Sequence, residues 1–495
     1  MAIADGFSRT TGGDRIGVFA MQQGPGTENA FPGAAQAYSD NVPILLLPGG
    51  EPSSKLFVEP NFIATEHYQN VTKWQARINS ADRLTGIMRR AFYQLRTGKG
   101  GPVLVEIPRE IWNEEIGDLD YTPVKGNKFG PYSQEVADVA DVLLNAESLV
   151  IHAGQGILYA KASEELVELA ELLQAPVMTT MPGKSGFPEN HPLSLGASAV
   201  STTKPIHHFL GNADVVFGVG TSFTRSGYGR DIPSSAVIVH STNDPNDINK
   251  DYVADYGLVG DAKLVLRGLI NEVKAKTDGA GKEDGNSTAD EVQAMKKEWL
   301  DEWMPQLTSD EVPINQYRII WDLMHNVDRA NTIVTHDAGS PRDQVVPFWE
   351  AVGPGSYMGW GKSTQLGYGL GITMGAKLAE PEKLCVNFMG DAAIGMVGMD
   401  IETASRNNIG ILTIVFNNGA MAIERDGMLY AIEKYGSYFQ GGNYRDVAVA
   451  LGSWGVRIEK PSDFVPALKN AIEVTKTGQP AMMKPHLQSS RGQLA

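Results

Sequence analysis

One cysteine in 495 residues excludes an internal disulfide framework, and Cys385 lies in an apolar run where it reads as core. No apolar stretch approaches the roughly 20 residues of a membrane span. Met1 is followed by Ala-Ile-Ala-Asp-Gly, without a basic segment or a long apolar one, so no secretory signal is expected. Positive charge is in deficit: 42 Lys and Arg face 58 Asp and Glu, and a net charge of −16 argues against a general nucleic-acid surface. The nine histidines show neither HExxH nor Cys/His zinc spacing, His207-His208 reads as surface, and no Gly-x-Ser-x-Gly elbow supplies a hydrolase nucleophile. The expectation is a cytoplasmic protein with no membrane or nucleic-acid partner.

What is present is organised around Leu384 to Asn418, LCVNFMGDAAIGMVGMDIETASRNNIGILTIVFNN. An apolar run, Leu384 to Met389, ends in Gly390-Asp391. A helical pattern follows through Met399 to Arg406, and a second apolar run, Ile411 to Phe416, closes on Asn417-Asn418. Such a βαβ unit puts Asp391 and Asn418 at the carboxyl ends of two parallel strands, where open α/β sheets place ligands. A carboxylate and an amide there both offer oxygen to a hard cation. Mg²⁺ takes one or two such side chains together with phosphate oxygens, and the N–H groups of Ala392 and Ala393 are placed to meet phosphates.

Gly390-Asp391-Ala392, with Asn417-Asn418 closing the unit 27 residues after Asp391, resembles the thiamine diphosphate signature of the acetolactate synthase and 2-oxo acid decarboxylase family. The family usually has Gly where this chain has Ala392, a departure of one methyl group that leaves the metal ligands intact. Further matches occur in order: Ala4 to Arg9, Gln23 to Asn29, Ala37 to Pro52 and Gly101 to Glu110 in the first part, and His336 to Ser340 and Gly359 to Leu370 in the last. The resemblance implies an α/β fold of three domains, each a mostly parallel sheet flanked by helices. Two cofactor-binding domains enclose a central Rossmann-like one. On this sequence they are residues 1–115 for the aminopyrimidine, 133–275 in the centre, a Gly-rich charged linker at 276–291, and 292–485 for the diphosphate and metal, with a further polar linker at 113–131. At 495 residues the length suits about three domains.

The site residues the resemblance implies are Asp391, Asn418 and the carbonyl of Ala420 for Mg²⁺, and Gly339, Ser340, Gly390, Ala392 and Ala393 around the diphosphate. Leu366 stands for the large apolar residue that props the cofactor in its bent shape. Gly24, Pro25, Gly26 and Asn29 form the ligand-facing turn of the first domain. Gln23 and Glu28 beside that turn, and Glu424 beyond the metal turn, are candidate acid/base groups, and His336 and Arg342 flank the diphosphate turn within reach of an anionic substrate. The family's activating Glu precedes the helix containing Ala4 to Arg9. Here that position falls before Met1, so the first domain is expected to be truncated.

The resemblance implies that the central domain, which in several relatives holds FAD or an adenine nucleotide, is a candidate nucleotide site. The Gly154-Gln155-Gly156 and Gly218-Val219-Gly220 turns suit nucleotide phosphates, but Ser222-Phe223-Thr224-Arg225-Ser226 replaces the usual flavin-associated Arg-Phe-Asp-Asp-Arg run and argues against flavin. The function implied is thiamine diphosphate- and Mg²⁺-dependent decarboxylation and carboligation of a 2-oxo acid by a homodimer or homotetramer. The alternatives are a non-catalytic paralogue that keeps the metal site, or another thiamine reaction such as a 2-hydroxyacyl-CoA lyase or a carbon–carbon hydrolase. The tail, MMKPHLQSSRGQLA, lacks the acidic strand ending expected of the family.

Overall fold

A computed structural model describes residues 1–118, 120–283 and 287–488. Sixteen strands among these residues form three sheets. The first contains β1 (Gly17–Met21), β2 (Ile44–Gly50), β3 (Trp74–Arg77) and β4 (Val103–Pro108), in the order β1-β2-β4-β3. The second contains β5 (Leu149–Ala153), β6 (Val177–Thr180), β7 (Ser194–Ser198), β8 (Val215–Val219), β9 (Val237–Thr242) and β10 (Tyr256–Val259), in the order β10-β9-β8-β5-β6-β7. The third contains β11 (Thr332–His336), β12 (Tyr357–Met358), β13 (Leu384–Gly390), β14 (Leu412–Phe416), β15 (Trp454–Ile458) and β16 (Ala481–Pro485), in the order β12-β11-β13-β14-β16-β15. All pairings within the sheets are parallel.

Parallel sheets are covered on both faces, so their inner strands are apolar throughout rather than alternating. LVIHA of β5, VVFGV of β8 and LTIVF of β14 are each buried along their whole length. The covering helices show the complementary pattern. In Ala262–Lys276, Val265, Leu266, Leu269, Ile270 and Val273 recur at three- and four-residue spacing and are buried, each contributing roughly 1.5–3 kcal/mol when fully removed from water. Asp261 caps that helix by accepting the Lys263 N–H at 3.1 Å, and Lys274 and Lys276 complement the dipole of its last turn.

The helix Ser287–Leu307 begins inside the segment 276–291 expected as a linker, and Ala262–Lys276 ends at its other side. Ser287-Thr288-Ala289-Asp290 has the small polar and acidic composition of a helix start, which outweighs the linker-like charge of the segment. Residues 284–286 of that linker, Leu119 of the other and 489–495 of the tail lie outside the described residues.

Among the contacts that join the domains, two are closely packed and buried. The helix Ala2–Thr10 of the first domain crosses Tyr368–Ala379 of the third at glycines: a Cβ on Gly6 would stand 2.2 Å from the Ile372 carbonyl oxygen, and one on Gly375 would stand 2.2 Å from that of Ile3. Backbone cannot yield as a flexible side chain can. Gly375→Ala is therefore expected to destabilise the chain by about 1–3 kcal/mol, the usual range for overpacking, and to lower the thermal unfolding midpoint. The second contact joins the central and third domains through the buried Lys184–Glu189 pair. Glu189 accepts the Ala351 N–H at 2.7 Å and donates its own N–H to the Ala351 carbonyl at 2.8 Å.

Candidate functional site

Register places the two ends of the organising unit side by side. Gly390 at the end of β13 pairs with Phe416 at the end of β14, so Asp391 and Asn418 leave the sheet at one carboxyl edge. Asp391 opens the helix Asp391–Val397 and ties the two ends together: its Oδ2 accepts the Gly419 N–H at 2.7 Å, and its Oδ1 accepts the Ala392 N–H at 2.9 Å. Burial pushes its carboxyl above the ordinary value, and these N–H bonds oppose that shift. Gly419 turns with φ of +70°, a conformation that favours glycine, and Asn418 Oδ1 accepts the Ala420 N–H at 3.1 Å. Among the described residues no donor takes the Ala420 carbonyl oxygen.

The next strand supplies the third part. β11 ends in His336, and Asp337-Ala338-Gly339 turns into the helix Ser340–Phe348. Asp337 is buried and accepts N–H groups from Ala338 at 2.9 Å, Gly367 at 2.9 Å and Gly369 at 3.0 Å; burial pushes its carboxyl up to about 6 against those three bonds. Gly339 has φ of +86°, and a Cβ there would meet only Ile423 Cδ1 at 3.8 Å, so its backbone is open to a ligand. A Cβ on Gly390 would meet nothing within 4 Å. Between these turns lies a cavity of about 180 Å³.

The cavity gathers most of the expected residues. Gly339, Ser340 and Leu366 form one wall, and Gly390, Asp391, Ala392 and Ala393 another. Asn418, Ala420 and Glu424 complete the lining, Glu424 from the exposed 3-10 turn Ala422–Gly427. Arg342 also lines it, paired with Asp343 at 2.7 Å and lying over the Tyr228 ring at 4.4 Å. His336 does not. It is buried behind the turn, stacked on Trp360 at 5.3 Å, and burial pushes its imidazole down to about 3. The expectation that it touches substrate is therefore corrected, because its apolar, aromatic setting keeps it away from the cavity.

Gln23, Gly24, Pro25, Gly26, Glu28 and Asn29 occupy the turn after β1 and the start of Pro25–Ser39, and none of them lines this cavity. Glu28 and Asn29 are exposed, and Gln23 donates its side-chain N–H to Glu51. Tyr228, Gln316, Leu487 and Gln488, which stand in no site motif of the sequence, are brought to the cavity by the fold. Leu487 and Gln488 arrive because β16 is an inner strand and the chain after it pairs with Asn417 through His486 and with Ile314 through Leu487. The hydrophobic start of that strand, AMM, was the available signal.

A second, larger cavity of about 790 Å³ lies between the first two sheets, lined in part by Asn41, Gly154, Gly156, Gly220 and Asp261. Its glycine turns serve each other. The Gly154 N–H donates to the Val219 carbonyl at 2.9 Å and the Gly156 N–H to that of Gly220 at 2.8 Å. Gly218 is part of β8, and the space its missing side chain leaves is filled by the Phe223 ring. These glycines are accounted for by turn-to-turn packing, so the reading of Gly218 as part of a phosphate turn is corrected.

Three parallel α/β domains, with Asp391, Asn418, Ala420 and open glycine turns lining one cavity at the carboxyl edge of the third sheet, define a cofactor-binding α/β protein. The chain belongs to the thiamine pyrophosphate enzyme family. Residues 1–73 match the N-terminal TPP binding domain of these enzymes, 136–269 the central domain and 337–484 the C-terminal TPP binding domain. Within the family it is similar to acetolactate synthase large subunits. It is 30% identical to a probable acetolactate synthase large subunit of Methanocaldococcus jannaschii, covering 95% of this chain and 81% of that protein. It is 29% identical to the corresponding protein of Methanococcus aeolicus over the same shares, and 25% identical to the isozyme 3 large subunit of Escherichia coli over 96% and 84%. No helix among the described residues is long and apolar enough to cross a membrane.

Proposed function

We propose that this chain is a thiamine diphosphate- and Mg²⁺-dependent enzyme that decarboxylates a 2-oxo acid and joins the remaining fragment to an acceptor carbonyl, an acetolactate synthase-like reaction. The observation that carries the reading is that Asp391, Asn418 and Ala420, whose carbonyl takes no donor among the described residues, line one cavity with the open Gly339 turn. Among the described residues no group of three His, Cys, Asp or Glu side chains could hold a metal ion, so a cation here relies on the single Asp391 carboxylate with amide and carbonyl oxygens and phosphate, the donor set that suits Mg²⁺. Asp391 and Asn418 would hold that cation. Gly339, Ser340, Ala392 and Ala393 would face the diphosphate, and Leu366 would support the rings. The bound cofactor supplies the electron sink for loss of CO₂, and the protein orients and desolvates the reacting groups. Arg342 and Glu424 line the same cavity, as a cation for the substrate's acid group and an acid/base group respectively.

The Gln23 to Asn29 turn fits this reading as the other half of a composite site, supplied by a second copy in a homodimer or homotetramer. Support comes from the exposed apolar side chains that follow the cavity-lining segment 420–424 in the chain, among them Leu429, Tyr430, Tyr435 and Phe439, and from Phe57 and Val58 on the first domain. Isothermal calorimetry with thiamine diphosphate and Mg²⁺, paired with CO₂ release from pyruvate and other 2-oxo acids, tests the function. Mg²⁺-dependent saturable binding with turnover is expected. Binding without CO₂ from any 2-oxo acid would favour a non-catalytic paralogue or another thiamine reaction, and no binding would end the reading altogether.

A further inference from the structure

The stretch 359–369, which carries Leu366, has no regular structure before its last two residues enter the helix Tyr368–Ala379, and three of its residues have positive φ: Gly361 at +120°, Thr364 at +49° and Gly367 at +86°. Backbone of this kind persists only where its surroundings hold it. Here they do so through side chains. Asp40, at the end of Pro25–Ser39, accepts the N–H groups of Gly361 at 3.0 Å and Lys362 at 3.1 Å. Gln36 Oε1 accepts that of Gln365 at 3.2 Å. Asp337, at the end of β11, accepts those of Gly367 at 2.9 Å and Gly369 at 3.0 Å.

Both carboxylates are wholly buried, and they reach the loop from different domains. Asp40 is balanced by Arg9, whose Nη1 also donates to the Gly359 carbonyl at 3.2 Å. Asp337 is held, among the described residues, by N–H groups, including that of Ala338 next to the diphosphate turn. The loop thus hangs between two acids, one of which touches the turn and one of which does not.

We propose that Asp40 and Asp337 are positioning residues that set the height of the Leu366 side chain in the cavity, so that the first domain controls the shape in which the cofactor of the same chain's third domain is held. This rests on the reading of Leu366 as the prop for thiamine diphosphate. A carboxylate can accept at both oxygens, whereas the amide of Asn presents a donor at one position. Asp→Asn therefore sets N–H against N–H at one of the two loop contacts while leaving the size of the side chain unchanged.

The test compares Asp40→Asn and Asp337→Asn with the unaltered protein by calorimetry, using thiamine diphosphate with Mg²⁺ and inorganic diphosphate with Mg²⁺, and by near-ultraviolet circular dichroism of the loaded protein. Asp40→Asn is expected to weaken thiamine diphosphate binding about 10-fold and to alter the dichroism of the bound cofactor, while inorganic diphosphate binds as before. Asp337→Asn is expected to weaken both ligands, because it also releases the turn. Equal losses for both ligands in Asp40→Asn, or an unchanged affinity and spectrum in both variants, overturn the positioning role. Amide hydrogen exchange on the unaltered, ligand-free protein needs no variant: Gly361, Lys362, Gly367 and Gly369 are expected to be protected, and exchange at unprotected rates overturns the proposal. Failure of the unaltered protein to bind thiamine diphosphate would instead remove the functional reading on which the proposal rests.

Discussion

Asp391→Ala is expected to weaken binding of thiamine diphosphate in the presence of Mg²⁺ by at least about 100-fold, since even the outer partners of metal ligands account for about 10–100-fold. Two effects combine. The cation site loses its only carboxylate within the Asp391, Asn418 and Ala420 set, and the Gly419 N–H loses the acceptor that draws the β14 turn toward β13. Asp391→Asn separates them, because one oxygen remains for the cation or for Gly419 while the charge is gone. Calorimetry at fixed Mg²⁺ measures both variants. An affinity for Asp391→Ala within a few-fold of the unaltered protein would mean that the diphosphate is held from the Gly339 side and that the carboxylate is structural.

The second large effect is expected at Arg9. Its guanidinium bridges Asp5 at 2.9 Å and Asp40 at 3.2 Å, and both carboxylates are fully buried. Burial alone would lower the pKa of Arg9, but the two acids raise it above its ordinary value. Arg9→Met keeps the length and apolar stem of the side chain but leaves two buried carboxylates without their cation. Removing one partner from a buried pair typically destabilises by about 3–5 kcal/mol. A large drop in the thermal midpoint is therefore expected, partly restored by adding Asp5→Asn, which removes one of the uncompensated charges. A change below about 1 kcal/mol in urea unfolding would show that water or a proton replaces the guanidinium. The same network reaches Tyr368, whose hydroxyl donates to Asp5 at 3.1 Å, so the loss should be felt where the first domain meets the third.

Much of this molecule is legible in the chain as written. The Leu384 to Asn418 unit was readable because β13 and β14 are inner parallel strands, buried on both faces, and their apolar runs end abruptly in Gly390-Asp391 and Asn417-Asn418. No such run marks β3, β7, β10, β12 or β15, each of which lies at the edge of its sheet. An edge strand pairs on one side only, and where solvent reaches it, as in YGLV, it needs no continuous apolar run, while SLGAS is buried but built mostly of small and polar residues. The linker 276–291 was read too long for a related reason: a polar helix start and a polar linker have nearly the same composition.

The candidate site divides along the same line. The expectation that Asp391, Asn418 and Gly339 share one edge could be formed from the sequence, because strand ends and glycine turns are local events, and Leu366 joined them only through the family pattern; all four line the one cavity. That His336 turns inward, that Arg342 faces the cavity against Tyr228 from the central domain, and that Gln488 joins the lining from the tail were decided only by tertiary structure. So was the suspension of 359–369 between Asp40 and Asp337, which lie 297 residues apart in the chain (337 − 40). Hydrogen-bond acceptors buried between domains leave no periodic or compositional trace. Which N–H groups they take depends on how the helices and sheets pack.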